Sequence, residues 1–157
     1  MIYSTATVPV NPNGEILLTL TQVWQGLVLK ARDARQFLPP GLCTKCEVVE
    51  ESETHIVREA TIGGQNLREI ITFDPEKKVT FFQATGPREG AIINELFEDA
   101  AGGLQLRFYG YLGLRGKEPG GAEEQAEQAF MDSDKGYKNA LLSTLKRTRE
   151  LVAENKL

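Results

Sequence analysis

The chain has 157 residues, the usual size of one domain, with 41% hydrophobic residues, 25% charged residues and a formal charge of −4. This composition excludes a disordered chain, and the scattered Lys and Arg residues, without a basic block, argue against a nucleic-acid partner. No apolar run reaches the ~18 residues of a membrane span, and Met1-Ile2-Tyr3-Ser4-Thr5 lacks the regions of a signal peptide, so the expectation is a cytoplasmic protein with no stable membrane insertion.

Residues 2–10 are rich in β-branched and aromatic types and predict a strand, ended by the turn N-P-N-G at 11–14. Pro9 suits an edge strand or a strand end. A helix follows, with Thr21 as its expected N-cap and Val23, Trp24, Leu27, Val28 and Ala31 as an apolar stripe. Phe37 and Leu38 fall in a short turn or second helix that Pro39-Pro40-Gly41 must stop.

The string C-T-K-C at 43–46 could be a redox pair or half a zinc site. The chain has one histidine, His55, and no further cysteine, so a metal site would need carboxylates. The neighbouring residues read as a strand, which points positions i and i+3 to opposite faces. Cys43 and Cys46 are therefore expected to be structural, with no metal and no cofactor.

From 42 to 115 the pattern has period two and predicts six strands: 43–51, 55–62, 66–73, 78–85, 91–98 and 104–114. Gly63-Gly64, Asp74-Pro75, Gly86-Pro87 and Gly102-Gly103 separate them, and such short connections imply antiparallel hairpins. G-K-E-P-G-G at 116–121 breaks the pattern, and the remainder reads as one long helix from about Ala122 to Glu154. Phe130, Tyr137, Leu141, Leu145, Thr148 and Val152 lie near one stripe of it, and Asp132-Ser133-Asp134 with Gly136 mark the place for a kink. The order β-α-(α)-β6-α defines an α+β class: a seven-stranded antiparallel sheet wrapped around a C-terminal helix, one domain over residues 1–157.

Hairpin counting then locates candidate chemistry. A two-residue Gly63-Gly64 turn sets Arg58 opposite Glu69 on an otherwise apolar, inward face. A three-residue connection at 75–77 adds Gln83 beside Glu69, and Asn94, or Glu95 in a register shifted by one, would continue the row. Burying such charges costs several kcal/mol unless they are paired. The row can orient a ligand or move a proton; it can be a self-satisfied bridge; or the face can be the solvent side.

Trp24, Phe37, Phe73, Phe81, Phe97, Phe108, Tyr111 and Tyr137 are candidates for core or pocket lining. Tyr137 stands out because its hydroxyl needs a partner. The expected ligand-lining set is Arg58, Glu69, Gln83, Asn94, Phe81, Phe108, Tyr137, Leu141 and Trp24. His55 has no nucleophile partner, no G-x-S-x-G elbow is present, and G-P-R-E-G at 86–90 has the wrong spacing for a phosphate loop.

Three strings, V-W-Q-G-L-V-L-K-A-R-D at 23–33, R-E-A-T-I-G-G-Q-N-L-R-E at 58–69 and V-T-F-F at 79–82, resemble the AtaL-like family. The element order is similar to the helix-grip fold of the START-related (SRPBCC) superfamily, which includes the birch pollen allergen and aromatic polyketide cyclases. The resemblance implies a deep cavity between sheet and C-terminal helix, and no settled catalytic residues. Three functions follow as expectations. The first is binding of a small hydrophobic ligand of lipid, aromatic or polyketide type. The second is a cofactor-free cyclase or dehydratase, with Glu69 as base and Arg58 stabilising enolate charge. The third is a homodimeric interaction protein whose pocket is filled by side chains.

Overall fold

The computed structural model describes residues 1–157. Strand β1 (Ile2–Pro9) leads through a loop to helix α1 (Leu20–Arg32) and a 3₁₀ turn at Ala34–Gln36. Six strands follow: β2 (Cys43–Glu51), β3 (His55–Ile62), β4 (Gln65–Asp74), β5 (Lys78–Thr85), β6 (Arg88–Glu98) and β7 (Leu104–Leu114). Two helices, α2 (Ala122–Asp132) and α3 (Tyr137–Ala153), end the chain. The strands form one antiparallel sheet in the order β1-β7-β6-β5-β4-β3-β2, so β1 and β2 are its edges and Pro9 ends an edge strand as expected.

Turn chemistry fixes the register. Gly63 and Gly64 have φ of 57° and 76°, the left-handed pair that a two-residue hairpin requires. The β4–β5 connection has Glu76 at φ 58°, and Lys77 N donates to Asp74 O at 3.0 Å, so three residues link the strands. Both registers agree with the hairpin counting: Arg58 faces Glu69, and Glu69 faces Gln83.

Four expectations need correction. The N-cap of α1 is Thr19, not Thr21, because Thr19 and Gln22 form a reciprocal capping box. Cys43 and Cys46 are both buried on one side, since a register shift between Cys43 and Lys45 adds a residue to β2 and restores a common face. Both are free thiols, and burial raises the pKa of Cys43. The C-terminal helix is two helices, because residues 133–136 leave helical geometry. Ser133 Oγ donates to Phe130 O at 2.6 Å, and a Cβ on Gly136 would lie 2.2 Å from Met131 O. The break also changes the helical phase, so Met131 is buried while Phe130 is half exposed.

The concave face of the sheet packs on α1 and α3. Ile2, Leu27, Ile56, Ile71, Leu106, Leu112, Leu141 and Leu145 are buried in this core. The two helices cross closely: a Cβ on Gly26 would lie 2.4 Å from Thr148 Oγ1. On the convex face Tyr111 is half exposed and stacks on Tyr3 with ring centroids 4.9 Å apart, so it belongs to neither core nor pocket. No helix is long and apolar enough to cross a membrane.

Candidate functional site: a chamber with two polar groups

Leu141 and Leu145 of α3 fill one end of the concave sheet, but the opposite end is left open. There the last turn of α1, the 3₁₀ turn and the first turn of α3 enclose a chamber of about 530 Å³ against β3–β7. Exposed Gly63, Gln65 and Pro87 border it, and Leu38, Ile62, Leu67, Phe81, Ile92 and Phe108 give it apolar walls. This volume lies within the range of ligand sites and overturns the expectation of a pocket filled by side chains.

The Arg58–Glu69–Gln83 row lines one wall and is saturated. Arg58 Nε and Nη2 both donate to Glu69 Oε2, the former at 2.9 Å. Gln83 Nε2 donates to Glu69 Oε1 at 2.8 Å. Arg58 Nη1 donates to the carbonyls of Lys30 at 3.1 Å and Ala31 at 2.9 Å. These carbonyls end α1 and have no intrahelical partner, so the guanidinium caps the helix electrostatically as well as by hydrogen bonds. Arg58, Glu69 and Gln83 are 4%, 5% and 7% exposed, and a charge pair so deeply buried persists only because each polar atom is engaged. The Arg58 guanidinium also lies 5.5 Å from the Phe81 ring centroid.

Asn94 does not continue that row. The tight β5–β6 connection pairs Gln83 with Gly90, which places Asn94 opposite Val79 and Phe108 instead. Asn94 still faces the chamber, where it accepts a hydrogen bond at 3.3 Å from Lys30 Nζ. Glu95 points the other way and pairs with Arg107.

Lys30 was absent from the expected set. It lies seven positions after Val23 and three after Leu27, on the buried stripe of α1, and a lysine at such a position is the signal that sequence alone offered. Its ammonium lies 4.2 Å from the Phe108 ring centroid. No carboxylate forms a salt bridge with it, because Glu69 is occupied by Arg58. Burial, and secondarily the nearby Arg58 charge, pull its pKa from 10.5 to about 7.

Tyr137 lies at the first turn of α3 and is 7% exposed. Its hydroxyl is buried without a hydrogen-bond partner, the one such side-chain atom in the protein. Burial pushes its pKa up to about 12, so it stays a donor. Gly110 makes room for it: a Cβ there would lie 2.4 Å from the hydroxyl oxygen. Of the remaining expected residues, Phe81 and Phe108 line the chamber, whereas Leu141 and Trp24 do not. Leu141 is fully buried in the core beneath the helix, and Trp24 packs edge-on against Phe73 with centroids 6.3 Å apart.

The family described as "AtaL: Acetylaranotin biosynthesis cluster protein L" matches residues 4–155. No curated protein matches the chain significantly. Among solved structures, the Zhui aromatase/cyclase from a Streptomyces species is 18% identical, over 96% of this chain and 94% of that one, with a TM-score of 0.66. The di-domain ARO/CYC StfQ from the steffimycin biosynthetic pathway is 9% identical, over 98% of this chain and 52% of that one, with a TM-score of 0.65. Ara h 8.0201 is 15% identical, over 98% of this chain and 97% of that one, with a TM-score of 0.58. At these identities the likeness establishes the fold, an α+β helix-grip architecture.

Proposed function

The chain belongs to the AtaL family, and on that premise we propose that its chamber binds a small hydrophobic ligand of aromatic or polyketide-like character. The observation that carries this reading is a chamber of about 530 Å³ with apolar walls and a few convergent polar groups. The test is a titration with N-phenylnaphthylamine, a neutral apolar dye, alongside native mass spectrometry of gently purified protein. Saturable, one-to-one dye binding is expected, and Ala140→Trp, which places an indole in the chamber, should abolish it. Binding that is absent, or unchanged in that variant, would refute the assignment.

A second reading is cofactor-free cyclisation or dehydration of a polyketide; Zhui is named an aromatase/cyclase and StfQ an ARO/CYC. It is favoured by the burial of two charged side chains against the same chamber. Its base would be Glu69, with Arg58 holding enolate charge. Glu69 Oε2 already accepts from two Arg58 nitrogens and Oε1 from Gln83, so the carboxylate must exchange partners before it can take a proton. Glu69→Gln should abolish turnover in a folded protein; full turnover by that variant would exclude this base.

A further inference from the structure

We infer that the chamber selects apolar ligands bearing one acidic oxygen, with the Lys30 ammonium as its counter-ion and the Tyr137 hydroxyl as a second donor. The inference rests on the binding function above and names its ligand class.

The chamber is lined by three cationic side chains, Lys30, Arg58 and Arg88, and by one carboxylate, Glu69. Glu69 is taken by Arg58, and Arg88 pairs with Glu127 of α2. Lys30 is left with a neutral amide, Asn94, and the face of Phe108. An ammonium held half-buried in this chamber lacks the anion that would stabilise it. The chamber is thus one negative charge short.

A second observation points the same way. The Tyr137 hydroxyl is buried, remains protonated and has nothing to donate to. Buried donors are nearly always satisfied; Tyr137 lines the chamber while its hydroxyl packs against Gly110 at its edge, so an acceptor on a ligand that reaches that edge would satisfy the orphan. A carboxylate, a phenolate or an enolised dicarbonyl on an aromatic body supplies both the charge and the acceptor. Binding the acid in its neutral form needs only a proton transfer: the ligand O–H bond breaks, and its proton completes the Lys30 ammonium.

The test is displacement of N-phenylnaphthylamine by three isosteric probes: β-naphthoic acid, β-naphthol and β-naphthamide. β-Naphthoate should bind at least about tenfold more tightly than the amide, the gain expected of a charge-assisted hydrogen bond out of water. The naphthol arm separates carboxylates from phenols and enols, whichever of the two binds more tightly. In Lys30→Met the ratio of acid to amide affinity should fall below about twofold. A wild-type measurement stands independently of that variant's folding. The charged groups that act on Lys30 are Arg58 and Glu69, with Tyr137 and Arg88 elsewhere on the chamber wall, and burial lowers the Lys30 pKa to about 7. β-Naphthoate affinity should therefore be flat between about pH 5, where the acid is ionised, and about pH 7, and fall up to tenfold per unit above that, with no such slope for the amide. Equal binding of acid and amide, or a preference that survives Lys30→Met, overturns the inference and leaves the dye-binding function standing. Failure of the dye itself to bind removes both.

Discussion

Two polar groups line the same chamber in opposite states. On the β3–β5 wall, Arg58, Glu69 and Gln83 satisfy one another and cap the end of α1. On the helical side, Lys30 and Tyr137 present a charge without a counter-ion and a hydroxyl without an acceptor. The contrast separates structure from recognition. A closed network gains nothing by admitting a ligand, because a newcomer must replace hydrogen bonds already made. An open pair carries a standing cost that only a ligand removes. The two are also mechanically joined: Arg58 holds the Lys30 and Ala31 carbonyls, so the closed network positions the open amine.

The largest effect should come from breaking the closed group. Arg58→Met strands Glu69 and releases two helix-end carbonyls, at a cost of about 3–5 kcal/mol. Replacing the whole row, Arg58→Met with Glu69→Leu and Gln83→Leu, should recover more than half of that, since no buried charge remains. The shortfall, about 1–2 kcal/mol, belongs to the freed carbonyls. Urea unfolding of the single and triple variants measures both. A triple variant no more stable than the single one would mean that the carbonyl contacts outweigh the ion pair.

The open amine should respond with the opposite sign. Folding lowers the Lys30 pKa from 10.5 to about 7, so between those values the unfolded chain binds more protons than the folded one. Stability therefore rises with pH through that window; below about 7 the full penalty applies, and above about 10.5 it is gone. Lys30→Met should then stabilise the ligand-free protein at pH 6. The full shift is worth up to about 5 kcal/mol, and about 2 is expected because Lys30 keeps part of its surface wet. The melting temperature should rise by several degrees, and the gain should shrink by pH 9. A destabilised Lys30→Met variant at pH 6 would show that the amine has a partner after all.

How much of this was legible in the sequence follows from which interactions are local. The Arg58–Glu69–Gln83 row could be counted from Gly63-Gly64 and from the Pro75–Lys77 connection, because hairpin geometry is set within a few residues. Asn94 was misplaced because β6 begins at Arg88, directly after the Gly86-Pro87 turn, and not at Ala91. The cysteine faces were reversed by a bulge, which period-two counting does not register. Lys30 was hidden for a different reason. Its importance lies in what it does not touch, and an absent counter-ion is a property of the assembled chamber, not of any one segment. The chamber itself, left by helices too short to cover the whole sheet, is likewise a three-dimensional fact. Family resemblance, not periodicity, supplied that expectation.

The smallest expected effect discriminates most finely between the two groups. Tyr137→Phe removes an oxygen that has no partner, so the ligand-free protein should lose nothing and gain about 0.5–1 kcal/mol from the relieved desolvation cost. The same variant should bind β-naphthoate about threefold to tenfold more weakly, because the ligand loses a donor. Stability and affinity should thus move in opposite directions from the deletion of one atom. At a position inside a closed network, such as Gln83, any deletion should lower stability first. Thermal melting of the free variant and dye displacement at pH 6 give the two numbers. If both fall together, the Tyr137 hydroxyl is satisfied in the ligand-free protein and belongs with the structural wall. If stability rises while affinity falls, the hydroxyl is held in reserve for the ligand.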